Sequence, residues 1–261
     1  MKPLISRLIL LLSLGIAGCG GNNTPSYVQS PGEKKTGTDR LLNAGADVLQ
    51  SKAPLKAFST YLDGFHFYNG NPHAQMEAHH YVSQLNDDLY QAIIFDGNGP
   101  DDKIMGIEYI ISARLYKQLP EQEKLLWHSH RYEVKSGELI APGIPLAAEH
   151  KLMEKLVSTY GKTIHTWHTD QDRDLPLGVP MLMMGFTRDG QLNKQLLADR
   201  DQRLKVNTAE HEKNRADIAT LPVDPYANSW ERGIIRQFSI TDNVDSAMHK
   251  HQKPVTLNRQ R

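Results

Sequence analysis

The chain has a single cysteine, Cys19, among its 261 residues. Everything after it must therefore hold together without a disulfide and without a thiolate ligand for a metal. Stability has to come from buried apolar surface and satisfied polar contacts. A hydrophobic share of 39% at this length suffices for one sizeable core, and one domain is the default expectation. With 30 basic and 30 acidic side chains the charges balance. That leaves no broad positive footprint for a phosphate backbone, so nucleic acid is not an expected partner.

The place of the cysteine is as telling as its number. Lys2 and Arg7 precede an apolar run from Leu8 to Leu14, and the small residues Ala17 and Gly18 stand just before Cys19. A charged start, an apolar stretch too short to span a bilayer and small residues at a cut site describe an export signal. The segment Leu14-Gly15-Ile16-Ala17-Gly18-Cys19 resembles the lipobox of bacterial lipoproteins, whose cysteine thiol is acylated and becomes the mature N-terminus. Residues 1–18 are then a lipoprotein signal peptide, and the membrane is a partner through acylated Cys19; two or more acyl chains hold stably where one is marginal. The expected location is the cell envelope. Because Gly20 rather than an aspartate follows the cysteine, this means the outer membrane facing the periplasm in a host with two membranes. The alternative is an ordinary signal peptide with a chance cysteine near its end.

Residues 19–38 hold almost no large apolar side chains and read as a flexible tether, and 221–261, with its basic end at Lys250, Lys253, Arg259 and Arg261, as an extended tail. The body, 39–220, mixes periodicities. Leu41, Leu42, Ala46 and Leu49 recur at helical spacing after Asp39, the expected cap. The stretches 79–85 and 89–95 read as a hairpin around Asn86-Asp87-Asp88, with 104–111 as a third strand. A short helix is expected at 120–127, a hairpin at 132–140 around Ser136-Gly137, and a helix at 146–160 stopped by Gly161. Strands follow at 163–169 and 180–186, and the charge-rich stretch 192–218 reads as one or two surface helices. The expected fold is α+β, a single domain with an antiparallel sheet and flanking helices.

Chemistry concentrates in histidine, of which there are twelve. In Trp127-His128-Ser129-His130-Arg131-Tyr132-Glu133 an extended backbone puts His128 and His130 on one face, able to give two imidazoles to one metal. Glu133 joins them only if the chain bends. Cupin metal sites use a similar pair with a wider gap before the carboxylate. His79 or His80, of which alternation turns only one inward, and Glu108 complete the candidate ligands; zinc, iron or manganese would suit such a set. The competing reading is structural: paired histidines beside aromatic residues are commonly half-buried and hydrogen-bonded. Ser129 and its neighbouring histidines point to opposite faces of a strand, which speaks against a nucleophile there. The chain has no Gly-x-Ser-x-Gly elbow, phosphate-binding glycine loop or His-Glu-x-x-His pair. The acids of 170–174 read as a solvated turn, and the apolar run 179–186 as a buried strand.

The sequences Leu62-Asp63-Gly64-Phe65-His66-Phe67-Tyr68, Glu77-Ala78-His79-His80-Tyr81, Gly106-Ile107-Glu108-Tyr109 and Leu125-Leu126-Trp127-His128-Ser129-His130 resemble the oil body-associated protein family, once a domain of unknown function. The likeness continues through Tyr160-Gly161-Lys162 and Leu175-Pro176-Leu177-Gly178-Val179-Pro180. It implies association with lipid, as for plant members at lipid droplets, and adds His66 and Glu77 as candidate ligand-binding positions, but transfers no catalytic role. Three functions are carried forward: noncatalytic association with lipid or a hydrophobic small molecule, which is preferred; a mononuclear metal-dependent enzyme using His128 and His130; and a structural interaction protein.

Overall fold

The computed structural model describes residues 23–26, 28–171 and 174–240. The export signal, Cys19 and the basic end at Lys250, Lys253, Arg259 and Arg261 lie outside them, as do Asp172 and Arg173 of the acidic stretch. Among the described residues no helix is long and apolar enough to cross a membrane.

Helix α1 (Gly37–Leu49) forms where the apolar periodicity places it, but Asp39 is not its cap. Thr36 is the N-cap, and Thr36 and Asp39 bond each other's backbone N–H in a capping box. A short α2 (Ala53–Lys56) leads to β1 (Thr60–Tyr68), β2 (Asn71–Asn86), β3 (Leu89–Phe95) and β4 (Ile104–Ser112). The hairpin of β2 and β3 and the third strand after it form as read. Strand β1 and the first half of β2 were not expected.

Two short helices, α3 (Ala113–Lys117) and α4 (Glu121–Lys124), precede the two-residue β5 (His128–Ser129). The hairpin expected at 132–140 is instead a helix, α5 (Arg131–Lys135), which Ser136 closes at its C-cap. Next come α6 (Leu146–Leu156), β6 (Thr159–His165), β7 (Met181–Met184), α7 (Lys194–Leu204) and α8 (Thr208–Asn214). Gly161 does not stop α6. It lies inside β6, where two strands meet it.

All the pairings are antiparallel, and they close on themselves: β1–β2–β3–β4–β6–β7 and back to β1. The sheet is thus a six-stranded barrel, more specific than the open antiparallel sheet expected. Its wall is thin in one place. Strand β7 reaches β1 only at Phe67 and Tyr68, so further along β1 the opening is spanned by residues 128–140. At one end of that segment β5 pairs with Gly161 and Tyr160 of β6. At the other, Asp63 and Ile140 exchange backbone hydrogen bonds of 2.9 and 2.8 Å.

Inside, two apolar clusters sit at different heights. One holds Leu62, Val82, Tyr90, Ala92 and Ile110 with Met153 and Leu156 of α6; the other holds Tyr68, Met76, Ala78, Ile94 and Met183. His66 of β1 and His80 of β2 fall between members of the two clusters on their own strands. A polar layer therefore crosses the middle of the barrel. Outside, Phe65, Phe67, Leu182 and Phe186 pack beneath Leu196 and Leu197 of α7 and beneath Trp230.

The charge-rich helices are not merely a solvated face. Arg200 of α7 and Arg215 after α8 are both 0% exposed. Nor do residues 24–26 stand clear of the body: Thr24 and Ser26 accept and donate hydrogen bonds with Asn98 and Asp102 of the β3–β4 loop.

Candidate functional site

The polar layer gathers most of the residues singled out from the sequence. His66, His80, Glu108, His128, His130 and Glu133 are all buried within it. Strand alternation does what was expected at the double histidine: His80 enters the layer, and His79 points out. The bend required for Glu133 is supplied by α5, whose N-cap is His130 and which puts position 133 one turn on. Arg215 fixes that helix by donating from Nη1 to the carbonyls of Val134 and Leu139 at 2.9 and 2.7 Å.

Glu108 is the hub. Its Oε1 lies 3.1 Å from His130 Nε2 and 3.5 Å from His128 Nε2, and its Oε2 lies 3.2 Å from His80 Nε2. The far nitrogens identify tautomers. Thr159 Oγ1 gives its proton to Leu156 O, so it must accept from His130 Nδ1 at 2.8 Å. His80 Nδ1 donates to Ala78 O at 3.0 Å. Both imidazoles therefore carry a proton on Nδ1 and turn Nε2 toward the carboxylate. His128, by contrast, is 0% exposed and has no hydrogen-bond partner on either ring nitrogen; Glu133 Oε2 has none either.

Burial favours the neutral forms here. It draws His128 down to about 3 and His66 well below the usual histidine value, the neighbouring His80 adding to the latter. It pushes Glu133 well up, helped by the charges of Glu108 and Glu138. For Glu108 burial acts upward too, yet the hydrogen bonds and charges of His130 and His80 carry it well below the ordinary carboxylate range. The ligand atoms of His66, Glu108 and His128 lie within 4.8 Å of one another, as do those of His128, His130 and Glu133. Either set could hold a metal ion. The void beside them is about 10 Å³, room for one water or one ion.

Glu77 and His79 belong to a different network on the barrel's outer face. His79 Nδ1 lies 3.1 Å from Asp63 Oδ2, its Nε2 3.4 Å from Glu77 Oε1, and Arg200 and Arg203 of α7 meet Asp63 and Glu77 respectively. Two guanidinium groups already answer the two carboxylates, which makes this a bolt between helix and barrel. Ser129 faces away from the layer, lining a surface pocket with Arg131, Tyr132 and Asn228. Sequence reasoning missed His165, which is buried in the layer with its Nε2 3.3 Å from His66 Nδ1. Its alternation with Gly161 and Thr163 along one strand was the available signal.

Comparison with known proteins bears on the same residues. The family described as "Protein of unknown function (DUF1264)" matches residues 52–219, which span the barrel from α2 to the end of α8 and include every member of the polar layer. The chain is 39% identical to oil body-associated protein 1B of Arabidopsis thaliana over 82% of its own length and 89% of the relative's. It is 40% identical to oil body-associated protein 1A of Zea mays over 79% and 88%. The chain belongs to the oil body-associated protein family. A third family member, protein 2C of Arabidopsis thaliana, is 37% identical over 77% of this chain and 86% of the relative. The resemblance read from the sequence is thereby borne out for the family, whose described activity is unknown. No solved structure matches this oil body-associated family member.

Proposed function

We propose that this protein is a noncatalytic, lipid-associating member of its family, exported and anchored in the cell envelope through acylated Cys19. The observation that carries the reading is α1. None of its residues is buried, and Leu41, Leu42, Val48 and Leu49 are 74%, 65%, 82% and 85% exposed. A helix that leaves such a stripe uncovered is suited to lie in a lipid interface, with its apolar side among acyl chains. Six residues after Leu49, Leu55 lines an apolar groove with Phe58, Tyr81, Ile93 and Phe95, of about 290 Å³. The association with oil bodies that the relatives' names record supports the same reading. Among the described residues the void beside the histidines is about 10 Å³, room for one small particle, which favours the noncatalytic reading.

The test is vesicle flotation of residues 19–261 carrying Cys19→Ala, which cannot be acylated, on phosphatidylethanolamine/phosphatidylglycerol liposomes. The unacylated chain floats with the vesicles, and Leu41→Asp/Leu49→Asp abolishes flotation without changing the thermal midpoint. A chain that stays at the bottom of the gradient, or a variant that floats equally well, overturns the proposal.

A further inference from the structure

We propose that the polar layer is a binding site for one divalent transition-metal ion, ligated by Nε2 of His128, Nε2 of His130, and carboxylate oxygens of Glu108 and Glu133. The first argument counts protons. Thr159 and Leu156 fix the His130 proton on Nδ1, so in the neutral ring the Nε2 lone pair faces a carboxylate oxygen 3.1 Å away. Two lone pairs at that distance need something positive between them, either a second proton on the ring or a metal ion. An Nδ1–H held by an outer acceptor is also the arrangement that orients a metal-binding imidazole.

The second argument is the pair of orphans. His128 is fully buried with both nitrogens unbonded, and Glu133 Oε2 is buried and unbonded beside it. Unsatisfied polar atoms in an interior are rare and destabilising. Coordination to a common ion would satisfy an imidazole and a carboxylate at once.

The third argument is spacing. With ligand bonds of about 2.0–2.1 Å, a tetrahedral ion holds its ligand atoms about 3.3–3.4 Å apart. Glu108 Oε1 lies 3.1 and 3.5 Å from the two Nε2 atoms, and Glu133 Oε2 lies 3.8 Å from His128 Nε2. Shifts of about 0.1–0.5 Å in these separations bring such a set onto one ion. His80 Nε2 stands 3.2 Å from the other oxygen, Oε2, which leaves Oε1 as the oxygen on the side of His128 and His130. Glycine keeps the space clear: a methyl on Gly161 would stand 2.7 Å from His130 Nε2, and one on Gly185 2.5 Å from Glu133 Oε2. Two imidazoles and two carboxylates suit zinc, iron or manganese, and the void of about 10 Å³ beside them has room for one such ion.

The test uses the full chain, purified without a polyhistidine tag and without added metal. Elemental analysis finds about one zinc, iron or manganese ion per chain. Chelation lowers the thermal midpoint, and excess Zn²⁺ returns it by roughly 5–10 °C. His128→Asn and Glu133→Gln, which keep side-chain size, abolish that return. Because either variant could unfold for other reasons, Co²⁺ loaded into the stripped wild type gives an independent reading as the strong visible absorption of a tetrahedral centre. A wild type that carries no metal and whose midpoint ignores Zn²⁺ overturns the proposal, as does stoichiometric metal retained by folded His128→Asn and Glu133→Gln.

Discussion

Arg200 Nη1 meets Asp63 Oδ1 at 3.0 Å, 137 positions apart in the chain, with both side chains wholly buried. The same nitrogen donates to Glu138 O, and Nη2 donates to Thr208 Oγ1 at 3.0 Å. One guanidinium thus joins β1, the loop after α5 and the start of α8. Removing it by Arg200→Met leaves Asp63 buried with His79 and the Tyr61 hydroxyl, 3.1 and 3.4 Å from its Oδ2, to answer it. The expected loss is about 3–5 kcal/mol. Adding Asp63→Asn removes the stranded charge, so the double variant loses less than the sum of the single ones; urea denaturation of the four proteins measures the difference.

Gly161→Ala forces a methyl against the Glu108 carboxylate and the rings of His128 and His130. All three groups are buried in the layer, with a void of only about 10 Å³ beside them. The expected cost is about 1–3 kcal/mol from overpacking, read as a shift of the urea midpoint with the m-value unchanged. An alanine tolerated at no cost would mean that the layer is looser than its geometry.

Acid should expose the buried imidazoles. Burial, with the charges of His80 and His168, holds His165 down to about 3 against an ordinary value of 6.5. The unfolded chain therefore binds this proton while the folded one does not, so the contribution of this group is complete above about pH 6.5 and is lost as pH falls toward 3. In that window it adds up to about 1.4 kcal/mol per pH unit to the slope of stability. The measurement compares wild type and His165→Gln by denaturation between pH 4 and 6.5; the variant has the flatter acid limb.

Thr36→Ala separates α1 from the barrel energetically. It removes the Oγ1 that accepts from Asp39 N at 3.1 Å, a loss of about 1 kcal/mol to the helix. Since α1 buries no residue, amide exchange accelerates across its first turn while the thermal midpoint of the barrel stays where it was.

Local periodicity revealed α1, the β2–β3 hairpin, β4, α6 and most of the polar layer. Strand β1 escaped because both of its faces are covered, one by the barrel interior and one by α7 and Trp230, so Thr60–Tyr68 shows no alternation of apolar and polar residues. Ser136-Gly137 looked like a hairpin tip, yet it ends a helix whose need to carry Glu133 inward arises only in three dimensions. Gly161 looked like a helix stop because a close approach between strands leaves the same signature as a cap. Arg200 and Arg215 read as surface charge because their partners, Asp63 and Glu149, lie far away in sequence. Closure of β4 on β6 is non-local in the same sense.

The thin stretch of wall at residues 128–140 has a consequence for how the molecule breathes. Strands β1 to β4 and β6 are paired with neighbours along most of their length, whereas this segment has only a two-residue ladder and one bridge at Asp63, the rest of its hold coming from side chains such as Arg215, Arg200 and Lys135. Local opening there breaks few ladder hydrogen bonds. The same segment carries His128, His130 and Glu133, so any fluctuation that lets water into the barrel also takes the polar layer apart. Sealing the interior and keeping its charged centre assembled are one equilibrium.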